Sequence, residues 1–328
     1  MFARAYSTKS CAVSCRSDVA AWGIRLLCAL VLLIVTTCVR ANTVVILTPS
    51  QGLGYEELID PLREDILRNP GLKVQILASN SGTAPGALRL PDDTVLIVTV
   101  GLQAAQSLLA LVDMRMPVLS VLLPRSSFEA ISNTSRSSRK HSAIFIDQPP
   151  NRQLDLLRSV MPLARTIGLV FGPGTQQDIP AYKMLTANRG LSLVAERAER
   201  ETELYPVLQS VLRSSDVLLA IPDTSIVNAS TSQNLLLTSF RFRVPVIGYS
   251  ASYVRAGALA AVYSTPRQIG VEAGPVVRQF LRSGNLPAAR YPRSFTVTVN
   301  RQMADSLGLI VPEDAAIVQR LQQLEGIE

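Results

Sequence analysis

Cysteine is confined to the start of this chain. All four cysteines lie within the first 41 of its 328 residues, as Cys11, Cys15, Cys28 and Cys38. Residues 42–328 therefore carry no thiol. This excludes a disulfide framework, a thiolate metal site and a cysteine nucleophile from that part of the chain.

Histidine is almost absent as well, with His141 as the single example. It stands in a stretch rich in serine, arginine and lysine, where we expect an exposed loop side chain. No Gly-x-Ser-x-Gly motif accompanies it, so a Ser-His-Asp hydrolase is not expected. Gly52-Leu-Gly54 resembles the start of a dinucleotide loop, but Glu57 stands in place of the third glycine. We predict no enzymatic activity and no cofactor.

Long apolar runs are missing after Ala41, where no segment approaches the roughly 20 residues that a membrane-spanning helix needs. Before it, the uncharged stretch Leu26–Val39 has 14 residues and follows several basic ones. The stretch leads into Val39-Arg40-Ala41, an order typical of a secretory signal cleaved after Ala41. A retained anchor and a lipid on Cys38 are the alternatives.

Charge of one sign is not in large excess beyond the first 41 residues. The whole chain has a formal net charge of +7, whereas residues 42–328 carry 27 basic and 24 acidic side chains. The densest basic cluster, Arg136-Ser-Ser-Arg139-Lys140, is typical of a solvated loop. Acids cluster only in Glu196–Glu203, which we interpret as a charged helix start. We expect no nucleic-acid partner and no metal site.

Apolar runs alternate regularly with amphipathic stretches along the rest of the chain. Runs rich in Val, Ile and Leu predict strands buried on both faces of a parallel sheet. Apolar residues at helical spacing, such as Leu58, Leu62 and Ile66, predict the connecting helices. The predicted strands are Val44–Leu47, Val74–Leu77, Val95–Val100, Val118–Leu122, Ala143–Ile146, Ile167–Phe171, Leu191–Val194, Val217–Ile221, Val244–Ile247, Leu259–Tyr263 and Phe295–Val299.

These strands are too many for one simple sheet and favour two sheets of about five or six strands each. The break falls at Asp147–Asn151, where Gln148-Pro149-Pro150 interrupts the pattern. We therefore predict an α/β protein with two doubly wound, Rossmann-like lobes of parallel strands. Ligands of such sheets bind beyond the carboxyl ends of the strands, so two facing lobes would form a cleft.

Small, polar and turn-forming residues follow the carboxyl ends of the predicted strands. Backbone amides at helix N-termini and hydroxyl groups meet at this edge and suit a small polar ligand. Turn formation and helix capping would explain any single loop, but their concentration at one edge favours a binding site. The candidate ligand-binding residues are Ser50, Gln51, Thr99, Gly101, Gln103, Pro124, Arg125, Ser126, Gly172, Thr175, Asp223, Thr224, Tyr249 and Ser250.

From about Asp147 onward, an ordered set of segments resembles a known family. The segments include Gln153-Leu-Asp-Leu-Leu-Arg, Thr166-Ile-Gly-Leu-Val-Phe, Ala220-Ile-Pro-Asp-Thr, Val244-Pro-Val-Ile-Gly, Ala256-Gly-Ala-Leu and Leu307-Gly-Leu. They are similar to the substrate-binding proteins of ABC transporters, in the group typified by tryptophan- and tyrosine-type binding proteins. The first half fits more loosely, at Val100-Gly101 and Met116-Pro117-Val118.

The resemblance implies a type I periplasmic-binding fold, whose two lobes close around a small molecule by hinge motion. It places residues 43–146 and about 258–286 in the first lobe, and residues 147–257 and about 287–328 in the second. It also implies that Asp223 faces the cleft and meets a ligand amine.

By the same resemblance, the protein is expected to be a monomer in the periplasm that delivers a small polar or zwitterionic solute to an ABC permease. An amino acid-like ligand is one possibility. Leu123–Phe128 departs from the family's usual Asp-Pro with a following Gly, so the ligand class does not carry over. Arg125 either holds a ligand carboxylate or lies on the rim. A sensory or envelope-assembly module on the same fold is the alternative.

Overall fold

The computed structural model describes residues 42–49, 55–79, 89–109, 116–134, 140–223 and 225–326. The predicted leader, with Cys38 and Ala41, and the candidate residues Ser50, Gln51 and Thr224 lie outside the described residues. From Asn42 onward the chain forms one compact unit. In the described parts, no helix has the length and apolar character needed to cross a membrane.

The first sheet has five described strands in the order β2-β1-β3-β4-β5, all parallel. Its strands are β1 (Asn42–Pro49), β2 (Leu72–Ser79), β3 (Thr94–Val100), β4 (Val118–Leu123) and β5 (His141–Phe145). The helices between them are α1 (Glu56–Leu67), α2 (Gly101–Leu109) and α3 (Arg125–Thr134). We call this sheet and its helices the first lobe.

The second sheet has six described strands in the order β11-β10-β9-β8-β6-β7, with only β11 antiparallel. Its strands are β6 (Thr166–Phe171), β7 (Ser192–Arg197), β8 (Val217–Leu219), β9 (Val246–Gly248), β10 (Ala260–Tyr263) and β11 (Thr296–Val299). The later helices are α4 (Pro150–Val160), α5 (Ile179–Ala187), α6 (Glu201–Leu212), α7 (Ala229–Arg241), α8 (Ala251–Arg255), α9 (Pro266–Ser283), α10 (Arg301–Ser306) and α11 (Asp314–Glu325). We call this sheet the core of the second lobe.

Both sheets are wound in the same way. The order β2-β1-β3-β4-β5 of the first sheet recurs in the second as β7-β6-β8-β9-β10. This is a doubly wound order, in which the strand sequence reverses beside the first strand. The prediction of two Rossmann-like sheets is therefore confirmed, and every predicted strand has a counterpart with slightly different ends.

The apolar patterns account for the local structure. Val44–Leu47 is fully buried within β1, as expected for a central strand covered on both faces. The stripe Leu58, Leu62 and Ile66 is likewise fully buried and packs α1 onto the first sheet. The interpretation of Glu196–Glu203 as a charged helix start is confirmed for Glu201 and Glu203, which lie in the first turn of α6, whereas Glu196 lies in edge strand β7.

The chain passes between the lobes at three places in its described part. The first crossing follows β5, the second leads from β10 into α9, and the third leads into β11. The second and third lie later than predicted. Strand β10 pairs with β9 and β11, so residues 258–263 belong to the second sheet. Arg290 bridges to Ile144 of β5, so residues 287–290 still follow the first lobe.

The reason for these differences is physical. A buried strand and its following helix give the same apolar pattern whether or not the chain changes sheets between them. Helix α9 does change sheets, because it packs against α1 of the first lobe. It begins at a capping box between Thr265 and Gln268 and ends at Gly284, whose φ is 67°.

A close approach of two backbones fixes the position of α9. A Cβ atom added to Gly270 would collide with the backbone of α1 at Leu58. One helix turn further along, Gly274 lies against the side chain of Asp65. The two helices therefore pack at a distance that only glycine permits at position 270.

We expect Gly270→Ala to lower the free energy of unfolding by about 1–3 kcal/mol, because the added methyl overpacks the contact with Leu58. Urea denaturation of the variant measures this. Val271→Ala is the matched control, since Val271 is the next residue of α9 and 53% exposed. Alanine favours a helix over glycine by about 1 kcal/mol, so a stabilised Gly270→Ala protein would contradict the close approach.

Candidate functional site: the interlobe cleft

A cleft between the two lobes is lined by residues that follow strands of both sheets. Its walls leave a cavity of about 20 Å³, which holds about one water molecule. Among the described residues, the expected open space for a solute is therefore absent in this conformation. The lining residues are Arg125, Ser126, Asp147, Gln148, Pro150, Gln153, Thr175, Asp178, Tyr182, Ile221, Pro222 and Tyr291. We call this set the interlobe cleft.

Strand β4 ends in an irregular turn that aims Arg125 into the cleft. Leu122 has a φ of 56°, a backbone conformation that residues other than glycine rarely adopt. The register between β4 and β5 shifts at the same point, between Val121 and Leu123. Helix α3 then begins at Arg125, whose backbone N–H donates to the carboxylate of Asp147 at the end of β5.

The Arg125 guanidinium joins the two lobes. Its Nη1 lies 2.7 Å from Glu129 Oε1, one turn along the same helix, and its Nη2 pairs with Asp178 of the second lobe. Beside this pair, Gln177 Nε2 donates to Glu129 Oε2 at 3.0 Å. Polar and charged contacts therefore hold the mouth of the cleft shut.

Two tyrosines form the aromatic part of the wall. Tyr182 is buried, and its hydroxyl donates to Gln153 Oε1 at 2.5 Å, which ties α5 to α4. Tyr291 stands in the third crossing and packs edge-on against Phe145, with ring centroids 5.5 Å apart. Burial raises the pKa of both phenols, so both remain neutral donors.

Asp147 is the acid with the most perturbed surroundings in the cleft. Burial raises its pKa from 3.8 to about 6, against the opposing effects of the Arg125 N–H and guanidinium, while Glu129 adds to the rise. The carboxyl group is therefore largely ionised at pH 7.5 and becomes neutral a little below pH 6.

Asp223, the predicted ligand acid, is turned into its own lobe in this structure. It is 2% exposed, and both carboxylate oxygens accept hydrogen bonds from its own lobe. Oδ2 accepts from the N–H of Gly172 at 2.9 Å and from Thr175 Oγ1 at 2.6 Å. Oδ1 accepts from the N–H of Ser225 at 2.9 Å and from its hydroxyl. The carboxylate thus clamps two loops and has no free oxygen for a ligand.

The same clamp explains the glycines of the loop after β6. A Cβ on Gly172 would lie 3.0 Å from Asp223 Oδ2, and one on Gly174 would lie 2.9 Å from Asp223 Oδ1. The Asp223 carboxylate therefore leaves no room for a side chain at Gly172 or Gly174. Only Thr175 of this loop also lines the cleft.

Of the other candidates within the described residues, only Arg125 and Ser126 line the cleft. Thr99 is fully buried within the first sheet, where its hydroxyl lies 2.8 Å from Ser120 Oγ. Tyr249 stacks on Tyr253 with ring centroids 4.6 Å apart, and Ser250 caps α8. Three further candidates are not among the lining residues: Gly101, Gln103 and Pro124.

Several lining residues were missed, and some carry a signal in the sequence. Asp147 directly follows a predicted strand, as ligand residues of such sheets do, but it was interpreted only as the break between lobes. Asp178 lies three residues beyond the Gly172–Thr175 loop, in a short 3-10 turn before α5. Tyr291 has no local signal, because it reaches the cleft only through the third crossing.

A serine–histidine contact does exist, but its serine is buried. His141 begins β5 and is half-buried, so its expected place in an exposed loop is wrong. Its Nε2 lies 2.9 Å from Ser120 Oγ, and Ser120 is fully buried, out of reach of any substrate. Across the described residues, no group of three His, Cys, Asp or Glu side chains could hold a metal ion.

Two sheets wound alike, joined by several crossings, with a polar cleft between them, define a type I periplasmic-binding fold. The sequence model of the family described as ABC transporter substrate binding protein matches residues 44–320. The chain therefore belongs to this family. No curated protein matches the chain at a significant level.

Solved structures support the fold. A substrate-binding protein with adhesive properties from Clostridium difficile, in its ligand-free open form, is 18% identical, with 83% of this chain and 97% of that chain covered and a TM-score of 0.63. A conserved domain protein from Vibrio cholerae is 20% identical, and the match covers 85% of this chain and 98% of that chain with a TM-score of 0.60. An ABC domain from Streptococcus pneumonia in complex with L-Trp is 16% identical, and the match covers 85% of this chain and 97% of that chain with a TM-score of 0.58.

We expect Asp147→Asn to change how stability depends on pH. Because the folded-state pKa of Asp147 lies above 3.8, ionising it costs folded-state free energy, and stability falls as pH rises from about 4 to 6. The variant should lack this decline, a difference of about 1–3 kcal/mol between pH 4 and pH 7. Urea denaturation of both proteins across this range checks it. Parallel stability curves would contradict the raised pKa.

We also expect Asp223→Ala to destabilise the protein by about 2 kcal/mol or more, because buried donors of two loops lose their acceptor. Thermal and urea unfolding measure the loss. Asp216→Ala is the control, since exposed Asp216 also accepts two backbone N–H bonds, from Arg165 and Thr166 at 2.8 Å. Equal losses in both variants would show that burial of the Asp223 clamp adds nothing.

Proposed function

We propose that this protein captures a small solute between its lobes outside the cytoplasmic membrane and delivers it to the permease of an ABC importer. The observation that carries the proposal is the contact between Arg125 and Asp178, which closes a polar cleft between two separately folded sheets. Family membership supports a small-molecule ligand and a permease partner. In this proposal the protein works as a monomer in the periplasm, released by cleavage after Ala41, and has no enzymatic role.

The crossings are built as a hinge. Gln148 Nε2 of the first crossing donates to Ser264 Oγ of the second at 3.0 Å. Ser264 Oγ donates to the carbonyl of Ser294 in the third at 2.6 Å. Short side-chain bonds thus keep the three segments together while each sheet remains intact. Such a hinge supports closure of two rigid bodies around a solute.

The character of the mouth also supports binding by opening and closing. Charged and amide groups meet at the mouth, as they do at the solvated rim of an interface. Partly exposed ion pairs contribute about 0–1 kcal/mol each, so breaking this one is inexpensive. Opening would expose Asp147, Tyr182 and Tyr291 to a solute.

The alternative is a sensory or envelope-assembly module that binds a solute without import. The neighbour from Clostridium difficile, a substrate-binding protein with adhesive properties, favours keeping this alternative. Deletion of the protein in its own host separates the two. Loss of uptake of a radiolabelled solute supports import, whereas intact uptake with altered gene expression or envelope integrity supports the alternative.

Crosslinking the mouth of the cleft tests the capture of a solute. Residues 42–328 contain no cysteine, so Glu129→Cys with Gln177→Cys places one reactive pair across the mouth of that unit. We expect solutes that raise the melting temperature of the uncrosslinked double variant to have no effect after closure by a short bismaleimide. A ligand at 100 times its Kd stabilises by about 2.7 kcal/mol, which thermal shift detects.

The matched control carries only Gln177→Cys and is treated with the same reagent. It should keep its response to the solute. If the crosslinked double variant responds as strongly as the control, the solute site lies elsewhere. If no member of a broad panel of amino acids, amines, sugars and nucleosides binds either protein, the proposed function is wrong.

A further inference from the structure

The Arg125 guanidinium lies where a solute would have to go. It spans the mouth of the cleft, with Glu129 on one side and Asp178 on the other. The Arg125 and Asp178 side chains are 26% and 19% exposed. The remaining cavity of about 20 Å³ is too small for a solute, so a solute can enter only if the guanidinium leaves Asp178.

The charges of the cleft are unbalanced without Arg125. Among the described lining residues it is the one cation, whereas Asp147 and Asp178 are both acids, and Glu129 lies beside them. When the guanidinium leaves, the lobes can close again only by burying Asp178 without its partner. A closed cleft leaves the partly exposed Asp178 carboxylate less well solvated than an open one, so closure is favoured when the solute supplies the missing positive charge.

The protein provides a second resting place for Arg125. Its Nη1 pairs with Glu129 on the same helix, at the i,i+4 spacing, and this pair does not cross the cleft. The bond from the Arg125 backbone N–H to Asp147 is also independent of the side chain. The side chain can therefore release Asp178 without unfolding the start of α3.

We propose that the solute of the cleft carries an ammonium or guanidinium group that replaces the Arg125 guanidinium at Asp178, and that Arg125 is the internal competitor for this place. The proposal rests on the proposed function, because it assigns a ligand class to the same cleft. It also names Asp178 as the specificity-determining acid of the second lobe. Asp147, which faces the same space, is the second acid available to a solute with two cationic groups.

The test compares probes of one shape and different charge. n-Butylguanidinium and n-butylurea differ mainly by the positive charge, and butyrate provides an anion. In calorimetry with the purified protein at low salt, we expect n-butylguanidinium to bind at least about tenfold more tightly than the other two. Asp178→Asn should remove this preference, and added salt should reduce it.

The Arg125→Gln variant distinguishes a competitor from a ligand-holding residue. Removing the competitor should tighten n-butylguanidinium binding by about threefold or more, since a larger fraction of the protein is then competent to bind. Arg200→Gln is the matched control: it removes the same charge from an exposed pair with Glu203 and should leave binding unchanged. Small-angle scattering of Arg125→Gln without a probe should show a larger radius of gyration.

Three outcomes would overturn the inference. They are equal or tighter binding of n-butylurea or butyrate, weaker binding of n-butylguanidinium by Arg125→Gln, and no binding of the cation by either protein. The second would make Arg125 a holder of an anionic group. None of them removes capture of a solute, which the crosslinking experiment decides separately.

Discussion

One buried charge holds the crossings between the two lobes together. Arg152 is 2% exposed, and a guanidinium in that position is tolerated only if its donors are paired. Nη1 donates to Gln148 Oε1 at 2.6 Å and to the carbonyl of Pro292 at 3.0 Å, and Nε donates to Glu325 Oε1 at 2.7 Å. The flat face of the guanidinium lies 4.1 Å from the centroid of the Phe295 ring. Helix α4 is thereby joined to two crossings and to the C-terminal helix α11 in a single cluster.

The contacts at the proposed hinge are more deeply buried than those at the mouth of the cleft. At the hinge the polar groups are buried and have several partners each, so separating them would expose unpaired donors. At the mouth, the contacts between Arg125 and Asp178 and between Gln177 and Glu129 are partly exposed and can exchange with water. The weak end of the interface lies where a solute would enter. Under the proposed function, a modest difference in binding free energy between open and closed forms would be enough to shift their populations.

The fold was largely predictable from the sequence, because buried parallel strands leave an unmistakable apolar pattern. Val44–Leu47 and the stripe of α1 were each read correctly from local spacing. Which sheet a strand joins depends on pairing between distant segments, and so β10 was assigned to the wrong lobe.

The site was predicted less well, because it depends on side-chain direction at the strand ends. Thr99 and Asp223 have suitable chemistry, but each is consumed by hydrogen bonds within its own lobe. Asp147 was overlooked because the same residue marks the break between the lobes. Arg125 was recognised, but neither of its two roles considered from the sequence included a partner in the opposite lobe. That partner, Asp178, becomes a neighbour only when the two sheets are assembled.

The repeated strand order has a consequence for how a solute is oriented. Because β1 to β5 and β6 to β10 are arranged alike, the backbone offers the cleft two edges of the same architecture. Nothing in that architecture distinguishes head from tail. In the proposed capture of a solute, its polarity would therefore be read by the unlike side chains of the two lobes, with Asp178 of the second lobe as the acid that receives the cationic group. Under that proposal, exchanging Arg125 and Asp178 would move the receiving acid to the first lobe and turn the solute around, while the scaffold stayed the same.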